Sequence, residues 1–196
     1  DHDILGEEHG YVPTGSRWKW VLDPIDGTRS FVAGMPIFGT LISLLDNDVP
    51  QFGIIDIPIL RERWSGIRNK ESLYYPDQQG GTPQLCKVSG KEKIEQSILY
   101  SADPAMFNIS QKPHFDRIVA QVKMVRYGGD CYSYGMLASG HIDLVVEADL
   151  KIYDQASCSR TSNSTFSCRT YVCTERFKGQ NTARFPAWYL SSFLAR

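Results

Sequence analysis

Apolar residues in this chain come in short runs set apart by turn-forming residues. Residues 18–22, 37–45, 51–57 and 61–67 read as strands. The second and third of these meet at Asp46-Asn47-Asp48 with Pro50 beyond, which is good turn chemistry. Residues 3–10 read as a strand end entering a loop at Glu7-Glu8, and 28–33 as a helical turn stopped by Gly34 and Pro36. Residues 68–83 are rich in Gly, Asp and Gln and read as a loop. A second half follows, with strands at 97–101, 124–127 and 142–147. The spacing of Phe115, Ile118, Val119 and Val122 predicts a helix over 112–122. Another is predicted over 130–139, with Asp130 near its N-cap and Gly140 closing it. Strands and helices alternate without a strict βαβ period, so the pattern predicts an α+β fold of mixed sheets with helices packed on them.

With 196 residues, 42% of them hydrophobic, one domain with a substantial core is expected. A net charge of −1 gives no reason to expect a nucleic acid or a membrane surface as partner, and no apolar run approaches a membrane span. The chain opens on Asp1 and shows no secretory signal, although a targeting segment could precede that residue. The cysteines Cys86, Cys131, Cys158, Cys168 and Cys173 form no CxxC pair and have no nearby His in ligand spacing. Free thiols in a reducing intracellular compartment, cytoplasm or plastid, are expected. His2, His9, His114 and His141 are expected at the surface.

The densest chemistry lies in Trp20-Val21-Leu22-Asp23-Pro24-Ile25-Asp26-Gly27-Thr28, where an apolar run delivers two acids onto a Gly-Thr turn. By itself a D-x-x-D reads as an Asx-rich surface turn. If instead Asp23 and Asp26 converge, their charges repel unless a proton or cation lies between them. Mg²⁺ suits carboxylate and carbonyl oxygens, and the backbone N–H groups of Gly27 and Thr28 can hold an anion if a helix starts there.

The neighbouring stretches decide between these readings. Ile4-Leu5-Gly6-Glu7-Glu8, then Asp23-Pro24-Ile25-Asp26-Gly27-Thr28, then Glu147-Ala148-Asp149-Leu150-Lys151-Ile152-Tyr153-Asp154 resemble, in that order, the signatures of the inositol monophosphatase superfamily. The segment from Arg29 to Ile42, Glu62-Arg63-Trp64-Ser65-Gly66 and the run from Tyr127 through Gly128-Gly129-Asp130-Cys131 to Tyr134 look like its histidinol-phosphate phosphatase branch. The resemblance implies a layered α/β sandwich of the sugar-phosphatase type, with the metal site between two sheets. It further implies Mg²⁺-dependent hydrolysis of a small phosphate monoester using two or three ions, with a homodimer as a possible assembly.

By motif, the resemblance assigns Glu7, Asp23 and the Ile25 carbonyl to a first Mg²⁺, and Asp23, Asp26 and Asp154 to a second. Glu7, helped by Thr28, would orient and deprotonate the attacking water, and the Gly27 and Thr28 amides would hold the phosphate. Asp130, Glu147, Gly128 and Gly129 would line the leaving-group pocket, where two carboxylates suit the cationic histidinol better than a neutral polyol. Arg61, Arg63 and Trp64 read as a packing cluster instead.

Residues 1–154 are therefore expected to be the core of a single phosphatase domain, short of the family's leading helix pair. Residues 155–196 are expected to be an atypical tail. The run Ser157-Cys158-Ser159-Arg160-Thr161-Ser162-Asn163-Ser164-Thr165 is polar and aperiodic, where relatives carry a small-residue helix. Such a tail, as a frameshift, retained intron or alternative exon would produce, is expected to pack poorly, since ordering costs roughly 1–2 kcal/mol per residue. Two alternatives accompany histidinol-phosphate hydrolysis: an inositol monophosphatase or related sugar phosphatase, and an inactive fragment or splice variant that at most binds metal or pairs with a normal subunit.

Overall fold

The alternating runs of the first half form one antiparallel meander. The computed structural model describes residues 1–161 and 169–173, with side chains through Cys158. Strands β1 (Asp3–Gly6), β2 (Gly10–Val12), β3 (Trp18–Asp26), β4 (Gly39–Asp46), β5 (Val49–Ile57), β6 (Glu62–Ile67), β7 (Leu73–Tyr75) and β8 (Gln84–Leu85) build a sheet in the order β2-β1-β3-β4-β5-β6-β7-β8. All its pairings are antiparallel except β1 with β3. Asn47 and Asp48 both have positive φ, which makes the predicted turn between β4 and β5 a two-residue hairpin loop whose twist matches its strands.

The second half supplies β9 (Ile98–Ser101), β10 (Met124–Tyr127), β11 (Leu144–Ala148) and β12 (Arg169–Cys173), an all-parallel sheet in the order β10-β9-β11-β12. Helix α1 (Thr28–Val32) follows β3, α2 (Lys112–Val119) precedes β10, α3 (Asp130–Ala138) follows it, and α4 (Ile152–Thr161) follows β11.

Both predicted sheets thus exist, and α3 and α4 lie between them. Leu41, Ile55, Ile57 and Trp64 from the large sheet meet Tyr134 and Leu137 of α3, Cys158 of α4 and Val145 of β11 in one core. On the far side of the small sheet Phe115 of α2 packs with Leu99, Leu144, Val146 and Ala148. Every residue of β11 is therefore buried, as expected of a parallel strand covered on both faces. The close approach of α3 to the large sheet needs a glycine. A Cβ on Gly135 would come within 2.7 Å of the Trp64 ring, whose Nε1 donates to Ser139 Oγ at 2.8 Å.

Several predicted elements differ from those observed. β7 lies inside the stretch 68–83 expected to be loop, held by pairing of Leu73 and Tyr75 with Ser65 and Arg63. β3 runs on through Asp26 rather than ending at 22, and α2 stops at Val119 rather than 122. Asp130 is the first residue of α3, beside the N-cap Gly129 and so near the N-cap as expected, though no side chain caps the helix. The expected boundary after Asp154 falls inside α4, where Ala156, Ser157 and Cys158 are buried. β12 likewise lies within the expected tail and pairs with β11. Residues 162–168 and 174–196 lie outside the described residues.

The large sheet has a second, less protected face. Val12, Ile4, Trp20, Leu44, Phe52 and Ile67 are successive register partners across six strands, an apolar row on the side opposite α4. Val12 is 54% exposed, Ile67 44% and Ile4 42%. Contiguous apolar surface of this kind promotes association. The chain is expected to bind a hydrophobic dye and self-associate with rising concentration. The double substitution Ile4→Lys, Val12→Lys should reduce both; unchanged light scattering and dye binding would show that this face is not the adhesive one.

Candidate active site

The acids of Asp23-Pro24-Ile25-Asp26 are three positions apart, so in a regular strand they would face opposite sides. They do not, because β3 is bulged. Asp23 pairs with Leu41 and Asp26 with Gly39, so β3 carries one more residue here than β4. The extra residue shifts the alternation by one and brings Asp26 to the face of Asp23. Pro24, which has no N–H to give a ladder, lies in the bulge, and its carbonyl accepts from Thr40 Oγ1 at 2.8 Å. The Ile25 amide donates to Asp23 Oδ1 at 3.0 Å, and Thr28 Oγ1 to the Ile25 carbonyl at 3.4 Å.

The third acid comes from the first turn of α4. Carboxylate oxygens of Asp23, Asp26 and Asp154 lie within 4.8 Å of one another. Asp154 is fixed by the Lys151 amide, which donates to its Oδ2 at 2.8 Å. Asp26 is fixed by the start of α3: the Cys131 amide donates to its Oδ2 at 2.7 Å, and the Cys131 thiol donates to the same carboxylate. Glu7 follows β1, with its amide donating to the Leu22 carbonyl at 3.1 Å. It stands outside the group of three, against Asp23 on one side and Lys151 Nζ, at 3.3 Å, on the other.

Crowding and burial shift these groups together. Burial, with Asp26 and Glu7 nearby, pushes the Asp23 carboxyl up to about 7. Burial pushes Asp26 up to about 6, with Asp154 and Asp130 adding to it and the Cys131 bonds opposing it. Asp154 is raised by burial and by Glu7, against the opposing bond from the Lys151 amide. Three carboxylates at this spacing cannot all ionise without a counter-charge. Their hard oxygens fit Mg²⁺, so the residues present suit the cation that the motifs imply.

The remaining candidates surround this trio. Gly27, at φ +82°, precedes α1, and a Cβ there would lie 2.7 Å from Asp130 Oδ2. That oxygen also accepts from Ser30 Oγ at 2.5 Å. Asp130 itself has φ +42°, after Gly128 and Gly129, so three successive left-handed residues carry the chain into α3. Glu147 faces α3 from β11 and is 3% exposed. Its oxygens accept from Tyr134 Oη at 2.5 Å and the Ala102 amide at 3.2 Å. Burial pushes it up to about 7, the Tyr134 and Ala102 bonds oppose this, and Asp26 and Asp154 add to it.

A sequence model described as the inositol monophosphatase family matches residues 1–159. The chain belongs to the inositol monophosphatase family. Over 162 residues it is 41% identical to the bifunctional phosphatase IMPL2, chloroplastic, of Arabidopsis thaliana, covering 78% of this chain and 43% of the relative. Over 155 residues it is 32% identical to a histidinol-phosphatase of Mycobacterium tuberculosis, covering 79% and 59%. A solved inositol monophosphatase from Zymomonas mobilis superposes with a TM-score of 0.71 at 38% identity, over 81% of this chain and 58% of that one. The chain spans about half the length of the curated relatives it matches. The inositol monophosphatase fold is thus the α+β sandwich expected from the motifs.

Four residues that touch the family's acidic motifs escape sequence reasoning: Ser30 on Asp130, Cys131 on Asp26, Tyr134 on Glu147 and Lys151 on Glu7. Three of these bonds join residues a hundred or more positions apart, and no spacing rule reaches that far. Tyr134 was within reach, since it stands one helical turn beyond Asp130. All four histidines are exposed, and Cys86 and Cys131 are free thiols, as expected.

The raised acids give stability a definite sign. In the metal-free protein Asp23 and Asp26 hold protons to higher pH than in the unfolded chain. The native state binds more protons between about pH 4 and 7, and stability falls as pH rises through that window. A divalent cation should reverse the trend. The melting temperature without metal should drop from pH 5.5 to 7.5, and Mg²⁺ should raise it more at pH 7.5. An equal Mg²⁺ effect at both values would mean that these acids do not meet the cation.

Proposed function

We propose that this chain carries the catalytic face of a Mg²⁺-dependent phosphomonoesterase that hydrolyses histidinol phosphate to histidinol and phosphate. The observation that carries it is the convergence of Asp23, Asp26 and Asp154. Three relatives named histidinol-phosphatase, 32%, 28% and 31% identical, favour that substrate.

Glu7, Asp23 and the Ile25 carbonyl would hold one cation, and Asp23, Asp26 and Asp154 another. When bound, the cations supply Lewis acidity to the phosphate oxygens and the attacking water. Glu7 takes the proton of that water, with Thr28 orienting it. The Gly27 and Thr28 amides hold the phosphate, and the absence of a Cβ at Gly27 lets Asp130, bonded to Ser30, lie against that turn. Asp130 and Glu147 favour a cationic leaving group, with Gly128 and Gly129 shaping the approach. The partner is a small phosphate monoester. A reducing compartment fits the free thiols, and the chloroplastic relative favours the plastid.

Inositol phosphate hydrolysis is the second reading, supported by a probable inositol 1-monophosphatase of Mycobacterium tuberculosis 42% identical over 149 residues. The third is the inactive fragment or splice variant that at most binds metal or pairs with a normal subunit. Assaying the chain with Mg²⁺ on histidinol phosphate and on inositol 1-phosphate separates all three. Faster turnover of histidinol phosphate is expected, and no turnover of either would favour the fragment. In an active protein Asp154→Asn should lower kcat/KM by about 100-fold or more.

Asp130→Asn and Glu147→Gln should weaken kcat/KM for histidinol phosphate more than for an aryl phosphate, which lacks the cation. Equal losses on both substrates would make the two acids supports of Ser30 and Tyr134 alone.

A further inference from the structure

Of the ion pairs among the described residues, the one between Lys151 and Glu7 alone involves an acid assigned here to the metal site. Lys151 lies in the short connection from β11 to α4, and Glu7 in the turn from β1 to β2, 144 positions away. The same lysine fixes the site twice. Its amide holds Asp154 Oδ2 at 2.8 Å and its ammonium reaches Glu7 Oε1 at 3.3 Å. The ammonium also stands 5.7 Å from the centre of the Tyr153 ring. The Lys151 side chain is 63% exposed, so the bond to Glu7 is a single, hydrated contact that breaks at small cost. A carboxylate that Asp23 already crowds thus has a weak cation beside it on a flexible stem.

We propose that Lys151 is a tethered counter-ion: it keeps Glu7 aligned in the metal-free protein and competes with divalent cations for that carboxylate. This rests on the reading of Glu7 as a metal ligand. The tether sets the competition. An ammonium on a four-carbon stem is always present at the site and gives way when a doubly charged ion arrives. The apparent metal affinity is then set below what the carboxylates alone would give. In the absence of metal, Glu7 remains turned toward Asp23 instead of swinging into water.

Calorimetric titration of the full chain with Mn²⁺, metal alone, tests this. Lys151→Met should bind Mn²⁺ about two- to fivefold tighter, the scale of an exposed ion pair that no longer has to be broken. Lys151→Arg should behave as the parent. Adding Glu7→Gln should abolish the difference between Lys and Met at 151. The metal-free melting temperature of Lys151→Met should be lower, and the gap should close at saturating Mn²⁺. Equal or weaker binding by Lys151→Met, or a gain that persists with Glu7→Gln, would overturn the role of Lys151 while leaving the metal site standing. Absence of saturable Mn²⁺ binding by the parent chain would overturn the metal site and the role of Lys151 with it.

Discussion

One extra residue in β3, opposite the stretch of β4 between Leu41 and Gly39, decides where the second acid of the Asp-Pro-Ile-Asp motif points. Without it, Asp26 would face away from α4. With it, Asp26 meets Asp23 and Asp154, and the Cys131 amide at the start of α3 can reach it. The rest of the site follows. β1 runs parallel to β3 and leaves Glu7 beside Asp23, and α4 delivers Asp154 in its first turn. The bulge sets three like charges together in a buried place, and the surroundings answer with N–H groups, a thiol, shifted protonation and one lysine.

The helix layer does the holding. α3 touches the large sheet through Gly135 and Trp64 and the small sheet through Tyr134 and Glu147. Its first residues reach Asp26 and Ser30. A shift of α3 therefore moves both the core and the site. Glu147 is nearly sealed, and its two oxygens are occupied by Tyr134 and Ala102. Any effect it has on a ligand acts through field and through the position of α3 as well as by contact. Asp130 is similar, with one oxygen given to Ser30 and the Gly27 backbone against it.

Much of this was legible in the sequence, for a physical reason in each case. The meander from β3 to β6 shows itself because one face of each strand is buried, and turn residues mark its ends. β9, β10, β11 and α3 show themselves by apolar runs and glycine stops. The acid-bearing motifs are readable because their residues sit close together along the chain. What escaped depends on distance or on context. The bulge has no signature beyond Pro24, since register is a relation between two strands. β7 is only three residues, Leu73 to Tyr75, inside a stretch dominated by Gly, Asp and Gln, and pairing with β6 is what makes it a strand. The polar run after Asp154 hides a helix because Ala156, Ser157 and Cys158 are small enough to lie close against the large sheet, so that face needs no large hydrophobic side chain. Lys151 gave no sign of its partner across most of the chain.

The bulge also sets how β3 tolerates change. Val21 and Asp23 face the helix layer, whereas Trp20 and Leu22 face the outer side, so neighbouring positions answer to different neighbours. Along Trp18 to Asp23 sensitivity to substitution should alternate residue by residue, packing and chemistry on one beat and solubility on the other. At Pro24 and Ile25 the beat slips by one, and Asp26 falls on the same count as Asp23. A mutational scan of these nine residues would carry that phase slip as a mark of the fold, visible without any measurement of shape.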